Sequence, residues 1–385
     1  MILTSSSSLR CIESLRSRQF LNTCRQFYRF NATSAEAPLR IAFFGSDAFS
    51  VQSLDKLYNY KLQNPHKIEA IDVITRSIKP TGRKLKTLVD LPIGDYCYRL
   101  NEAACEERLP VIRADSSQEI LDILQTRHYS MAIAVSYGKL IPAEFIKSCV
   151  HGGLNVHPSL LPKYSGSSPI QFALMNDDST TGCTIQTLHP TKFDRGEIIL
   201  QSGEIAIGEN SNFSTLQAEL ASIGSELLVT TIDKELYKSG IERGIMKTYP
   251  FSLAPKISPK KSEIVWGSLT SKQIKRLEDA LGPLYSYKFV NVIKKKKIIK
   301  EYQRVIISGI TILERDHFQG YNDLRRVGEF MLENSATPRL IIKTRDGFIG
   351  ASSLKFQACN EETPTEFVKA LIKRSGETAN KFVNI

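Results

Sequence analysis

"LRIAFFGSDAFSVQSLDKL", residues 39–57, sets how the rest of the chain is read. It opens on a short apolar run (39–44), Gly45 follows, and a helical pattern takes over from Ser50. "IEAIDVIT" (68–75) reads as a second strand. "YSMAIAVSYG" (129–138) is a near-continuous apolar strand, as expected where helices cover both faces of a sheet. Helical patterns near 95–107 and 117–127 lie between, with "LPVI" separating them, and a short helix is expected from Pro142. Strands alternating with helices predict parallel pairing and right-handed crossovers. Later strands are expected in "GCTIQTL" (182–188) and "GEIILQSGEIAIG" (196–208), and a long amphipathic helix over 214–238. Residues 38–250 therefore read as one open α/β sheet domain.

The composition changes after "YPFSLAPKISPKKSEIVWGSL" (249–269). Prolines and lysines mark 251–268 as a linker. Over 269–385, "SKQIKRLEDAL" reads as a helix, followed by the short β-rich runs "LYSYKFVNVI", "KIIKEYQRVII", "RLIIKTRDG" and "FIGASSLKF". Short strands separated by turn signals predict a small barrel of the oligonucleotide-binding (OB) type. Residues 259–304 carry 12 Lys or Arg against four acids, including the run Lys294, Lys295, Lys296, Lys297. On a barrel this basic stretch, from Lys288 to Lys300, is expected to track phosphates.

A chain of 385 residues has room for two or three domains with sizeable cores. Its 42% hydrophobic and 24% charged residues are ordinary for a globular protein, and no apolar run is long enough to span a bilayer. Seven scattered cysteines (11, 24, 97, 105, 149, 183 and 359) form no C-x-x-C, which argues for reduced thiols and against a structural zinc site. H-E-x-x-H, P-loop and G-x-G-x-x-G signatures do not occur. Residues 1–35 hold five Arg, no Lys, seven Ser and one acid, Glu13. That composition is of the mitochondrial presequence type and predicts residence in the mitochondrial matrix. Removing this segment's +4 from the net charge of +11 leaves +7, which leans toward a polyanionic partner.

"GGLNVHPSLLPKYSG" (152–166) carries the chemistry. In a strand, Asn155 and His157 project to one side and Val156 to the other, and Pro158 ends the ladder. The carboxyl ends of strands in open α/β sheets are where ligands bind. Taken alone, the pair reads first as a histidine satisfied by a backbone carbonyl and an asparagine that starts a turn. The longer run "NVHPSLLPKYSGSSPI" resembles the N-x-H-x-S-L-L-P-x-x-x-G-x-x-P-I signature of the folate-dependent formyltransferases. "FDRGEII" (193–199) resembles that family's downstream Asp-x-Gly segment. The opening stretch, the basic loop "TRSIKPTGRKLK" (75–86), the Lys-rich linker, the Trp266 region and the C-terminal β segment are similar to the branch acting on methionyl-tRNA.

The resemblance covers residues 38–385. It implies an open Rossmann-like formyltransferase sheet followed by a small C-terminal OB-like β-barrel. It also implies formyl transfer from 10-formyltetrahydrofolate, a co-substrate used without metal, to the amino group of initiator methionyl-tRNA. Such a transfer needs an oxyanion donor, a proton acceptor for the amine and a donor to the leaving nitrogen. Asn155 suits the first role, and a protonated His157 can donate. Asp194 would keep His157 charged and accept the amine's proton. By resemblance, Ser159, Leu160, Leu161 and Pro162 line the folate site, while Tyr137 and Gly138 close the pterin pocket mostly through backbone groups. Arg76, Lys79, Arg83, Lys84 and Lys86 would meet the tRNA acceptor end.

Ser165 and Lys79 stand where the family often has Arg. The segment before Asp194 is one residue longer, and its extra His189 is taken as non-catalytic. A monomer with no membrane or DNA partner is expected. Two other readings stay open: a related formyltransferase or hydrolase acting on a small amine or water, and a non-catalytic mitochondrial RNA-binding protein.

Overall fold

Strand β1 (Leu39–Gly45) lies inside a seven-stranded sheet, between β6 (Met131–Val135) and β2 (Ile68–Thr75). The computed structural model describes residues 37–81, 87–103, 107–241, 247–294, 297–314 and 323–385. The presequence segment 1–35, Arg83, Lys84, Lys86, Lys295, Lys296 and the Lys294 side chain lie outside the described residues. Past β2 come a short hairpin of β3 (Lys79–Thr81) and β4 (Thr87–Val89), then the sheet's edge strand β5 (Val111–Arg113). On the other side of β6 follow β7 (Gly153–His157), β9 (Thr184–Thr187) and β10 (Ile198–Gln201). A separate two-stranded pair joins β8 (Thr180–Thr181) to β11 (Ile205–Ala206).

The expected parallel pairing holds from β5 to β7. It fails at the last two strands, since β9 runs antiparallel to both β7 and β10. Residues 188–197 return the chain directly from β9 to β10 without a crossover helix, so that pair has to be antiparallel.

Alternation along the strands separates two cores. Ile41, Phe43, Val73, Ile133, Val135, Leu154 and Val156 pack on one face. The helices α1 (Ala48–Gln63) and α6 (Phe213–Asp233), which pack on each other, cover that face. Ala42, Phe44, Ala132 and Ala134 face the other side, against Phe145 and Ile146 of α4 (Ala143–Ser148). The remaining helices of this unit are α2 (Pro92–Ala103), α3 (Ser117–Asp122) and α5 (Pro169–Met175). Helix α1 starts two residues before Ser50 because Asp47 caps it, accepting from the Ser50 N–H at 3.0 Å. Helix α6 stops short of 238, since Glu235 takes a left-handed φ of 53°.

The second unit contains helix α7 (Ser271–Leu281) and β12 (Leu284–Lys294), β13 (Lys297–Leu313), β14 (Phe330–Leu332), β15 (Leu340–Lys343) and β16 (Phe348–Phe356), then helix α8 (Pro364–Ser375) and β17 (Phe382–Val383). The strands pair antiparallel in the order β14-β15-β16-β13-β12-β17. The two ends then meet. Phe330 N–H donates to the Asn380 carbonyl (2.9 Å) and Phe382 N–H to that of Gly328 (2.8 Å), which closes the curl. Its core includes two residues expected in the linker, Ile264 and Trp266. The indole stacks on Phe382 and donates from Nε1 to Ser286 Oγ at 2.8 Å. Helix α7 packs on α5, and Arg276 joins the two units by donating to Asp177 (2.8 Å) and to the Glu209 carbonyl (3.0 Å).

Candidate active site

β7 ends at His157, as the following Pro158 requires. Val156 enters the core, whereas Asn155 and His157 share the opposite face. Asp194 is brought to them by residues 188–197, which fold back over β9. Thr187 N–H donates to the Glu197 carbonyl (2.8 Å). A Cβ on Gly196 would stand 1.7 Å from the Thr187 carbonyl oxygen, so the close approach requires glycine there. Asp194 itself has φ 51°, a left-handed conformation that aspartate tolerates better than most residues.

Three donors and the His157 ring converge on the Asp194 carboxylate. Gly166 N–H donates to Oδ2 (2.8 Å), while Gln186 Nε2 (3.0 Å) and Asn155 Nδ2 (3.2 Å) donate to Oδ1. His157 Nδ1 lies 3.3 Å from the same Oδ1, and the two side chains are only 6% and 8% exposed. The other ring nitrogen, Nε2, is 3.0 Å from the Tyr164 carbonyl oxygen. A carbonyl only accepts, so Nε2 carries a proton. Nδ1 is left facing the Asp194 carboxylate. His157 thus both satisfies a carbonyl and lies against a carboxylate.

Beside this cluster lies a cavity of about 600 Å³, within the range that holds a drug-sized ligand. Ala134, Ile141 and Leu188 give it apolar wall, and Asn155, His157 and Asp194 a polar one. Tyr137 and Gly138 also line it. The Tyr137 hydroxyl turns away to the Ala114 carbonyl, and burial pushes its pKa up to about 12, so this residue offers the cavity no titrating group near neutrality. A Cβ on Gly138 would meet nothing within 4 Å, which leaves room for a flat ring close to the backbone. Asp47 also reaches the wall, where burial raises its pKa above the ordinary value. Among the described residues, no cluster of three His, Cys, Asp or Glu side chains is arranged to hold a metal ion.

Ser159, Leu160, Leu161 and Pro162 do not line this cavity. The first three are buried behind it: Ser159 Oγ donates to the Lys163 carbonyl (2.6 Å) and Leu161 N–H to Thr184 Oγ1 (3.0 Å). Their geometry shapes the turn from Pro158 to Gly166, because apolar side chains following a strand end are drawn into the core.

The expected linker contributes what sequence reading missed. Residues 252–254 strap the loop after that turn. Ser165 N–H donates to the Ser252 carbonyl (2.9 Å), Ala254 N–H to that of Ser165 (2.8 Å) and Ser168 N–H to that of Ala254 (3.0 Å). The strapped loop carries both the Tyr164 carbonyl and the Gly166 N–H that orient His157 and Asp194. Ser165 therefore acts through its backbone, and Pro255 and Lys256 join the cavity wall. Gln186 was missed as well. Its only sequence signal is a polar residue inside "TIQT", and its importance follows from the register Asn155↔Gln186. His189 accepts from the Thr191 (3.2 Å) and Lys192 (3.1 Å) N–H groups and so shapes its own loop.

Of the expected tRNA contacts, Lys79 is 67% exposed, with Asp115 Oδ1 at 3.9 Å. Arg76 is half-buried at the base of the β3–β4 hairpin. That base is clamped by Arg113, whose guanidinium grips Asp90 at 2.7 and 2.6 Å and donates to the Arg76 carbonyl (3.0 Å). Lys294 pairs with Lys297 at the β12–β13 turn. Lys288 does not belong with them. It is 1% exposed because its strand position points into the barrel, where Nζ donates to Thr378 Oγ1 (2.5 Å) and the Phe289 carbonyl (3.3 Å).

The cluster and its cavity lie at the carboxyl end of β7, where an open α/β sheet binds its ligand. The formyl transferase family model matches residues 39–232, and the chain belongs to that family. Among its relatives, the mitochondrial methionyl-tRNA formyltransferase of Saccharomyces cerevisiae is 30% identical, covering 95% of this chain and 97% of its own. The mitochondrial methionyl-tRNA formyltransferase of Homo sapiens is 28% identical over 86% of this chain and 77% of its own. Among solved structures, HypX from Aquifex aeolicus in complex with tetrahydrofolic acid shares the fold, with a TM-score of 0.52 at 14% identity. That match covers 88% of this chain and 48% of the HypX chain, so the chain spans about half of HypX.

Proposed function

We propose that this chain transfers the formyl group of 10-formyltetrahydrofolate to the amino group of initiator methionyl-tRNA in the mitochondrial matrix. The observation that carries the chemistry is the convergence of Asn155, His157, Gln186 and the Gly166 N–H on Asp194 at the cavity wall. The mitochondrial methionyl-tRNA formyltransferases among its relatives, matched almost end to end in the yeast case, support the acceptor and the compartment. When bound, the folate supplies the formyl carbon. Asn155 has a second amide hydrogen beyond the one given to Asp194, and it can meet negative charge developing on an oxygen in the cavity. Asp194 accepts the proton that the attacking amine sheds, directly or through water, and returns it to the departing N10 as the C–N bond to the formyl carbon breaks. His157, held by the Tyr164 carbonyl, is a positioning residue that packs its ring against Asp194.

Residues 1–35 act as the import presequence, 38–250 as the catalytic unit and 269–385 as the tRNA-binding unit, joined through 251–268. The hairpin loop with Arg76, Lys79, Arg83, Lys84 and Lys86 serves the acceptor end, and Lys294–Lys297 meet phosphates. The test is labelled formyl transfer to charged initiator methionyl-tRNA, with elongator methionyl-tRNA, an amino-nucleotide and water as competing acceptors. Preference for the small amine or for water would overturn the assignment.

A further inference from the structure

The ribbon formed by β12 and β13 has two unlike faces. Leu284, Ser286, Lys288, Val290 and Val292 alternate inward and are buried. The intervening residues point outward, and the register sets Tyr287 opposite Arg304, Phe289 opposite Tyr302 and Asn291 opposite Lys300. Tyr302 is 50% exposed, and its ring centroid lies 5.3 Å from that of Phe289. Arg304 lays its guanidinium over Tyr285 at 3.6 Å, while Tyr285 and Tyr287 meet edge to face. Toward the turn the same face continues with Ile293 and Ile298, 75% and 67% exposed. Within the two strands this face carries no acid among the described residues, since Glu301 pairs with Val290 and so belongs to the other side; the nearest carboxylate, Glu263, is bridged to Tyr285 at the end away from the turn.

A solvated ribbon needs charge and polar groups outward, not aromatic rings and isoleucines. Aromatic rings set between cations match the chemistry of an unpaired nucleotide, whose base stacks and whose phosphate is anionic. We propose that this ribbon face is a stacking site for unpaired nucleobases of RNA, with Phe289 and Tyr302 taking the bases and Lys300 and Arg304 the flanking phosphates. Its charge selects RNA over a second copy of this chain, which would bring the same cations against themselves. That the RNA is tRNA rests on the proposed function, and the stacking itself does not.

The experiment measures binding of a short single-stranded RNA, and of a blunt duplex of equal length, to the full chain by fluorescence anisotropy across a salt series. The variants are Tyr302→Ala, Tyr302→Phe, Phe289→Ala and Lys300→Ser. Each alanine variant should weaken the single strand about tenfold or more and leave the duplex and the salt slope unchanged. Tyr302→Phe should bind as wild type, because stacking needs the ring and not the hydroxyl. Lys300→Ser should lower the single-strand salt slope by about 0.7. Thermal unfolding identifies any variant that fails to fold. Should Phe289→Ala do so, the half-exposed Tyr302 pair decides alone.

Wild-type affinity in Tyr302→Ala overturns the proposal, and so do equal losses for strand and duplex. A salt-insensitive dimer in sedimentation that Tyr302→Ala disperses, with RNA binding intact, assigns the face to self-association instead. Formyl transfer is assayed separately, so RNA binding without transfer would count against the proposed function alone.

Discussion

Asp194→Asn keeps the side chain's size and removes its charge and one acceptor. The geometry says where the loss falls. Oδ1 serves Gln186, Asn155 and His157, whereas Oδ2 serves only Gly166. The new amide will keep its oxygen toward those three partners and set its NH2 against the Gly166 N–H. One hydrogen bond is lost and a donor is left facing a donor, at a cost of about 1–3 kcal/mol in stability. The fold should survive that. Catalysis should not, because an amide cannot take the amine's proton. The rate of transfer should fall roughly 10²–10⁴-fold, which corresponds to about 2.7–5.5 kcal/mol on the barrier. The assay is single-turnover formyl transfer to initiator methionyl-tRNA, beside equilibrium binding of tetrahydrofolate and urea unfolding. Folate binding should persist. Turnover within a few-fold of wild type would refute the role of Asp194, and loss of fold with loss of folate binding would make it a structural pillar instead.

Three further outcomes are expected. Gly166→Ala places a Cβ 2.4 Å from the Ala254 carbonyl at a φ of 132°. It should pull the 252–254 strap from the loop and lower kcat more than global stability, and an unchanged kcat would show that the strap is dispensable. Asp90→Asn breaks the two-pronged contact with Arg113 at the hairpin base. It should raise KM for methionyl-tRNA while leaving folate affinity alone, and a matched loss of both would refute a positioning role. Burial holds Lys288 at about 8 instead of 10.5. Below pH 8 the lysine is charged whether folded or not, so the folded protein bears the whole burial cost, about 3 kcal/mol. As pH rises from about 8 to 10.5 the unfolded chain binds more protons than the folded one, and the cost is relieved. Wild type should therefore gain stability relative to Lys288→Met across that window in urea titrations, and a pH-independent difference would sink the argument.

Local rules reached a long way. The apolar run 39–44, Gly45 and the following helix placed the first β-α step. Period-2 alternation put Asn155 and His157 on one face, and Pro158 ended their strand. Helix α7 matched its sequence pattern residue for residue, because the amphipathic period and its Thr270 and Gln273 capping box agree. These features depend on neighbours a few residues apart, which a sequence displays directly.

What the sequence hid was set by contacts between distant segments. That Lys288 is buried follows from which face of β12 the barrel encloses. Leu160 and Leu161 look equally like pocket and core until the turn is seen to carry them behind the wall. Residues 252–254 read as linker, yet their backbone groups are the partners of the loop at 164–168. Side-chain identity says nothing of such pairing, since every residue but proline carries the same N–H and C=O. By itself the sequence determined the strand ends and the residue types able to do the chemistry. The tertiary structure alone decided which N–H and carbonyl hold Asp194 and His157 in place, because a hydrogen bond between segments far apart in the chain exists only once the packing of both cores has brought them within 3 Å.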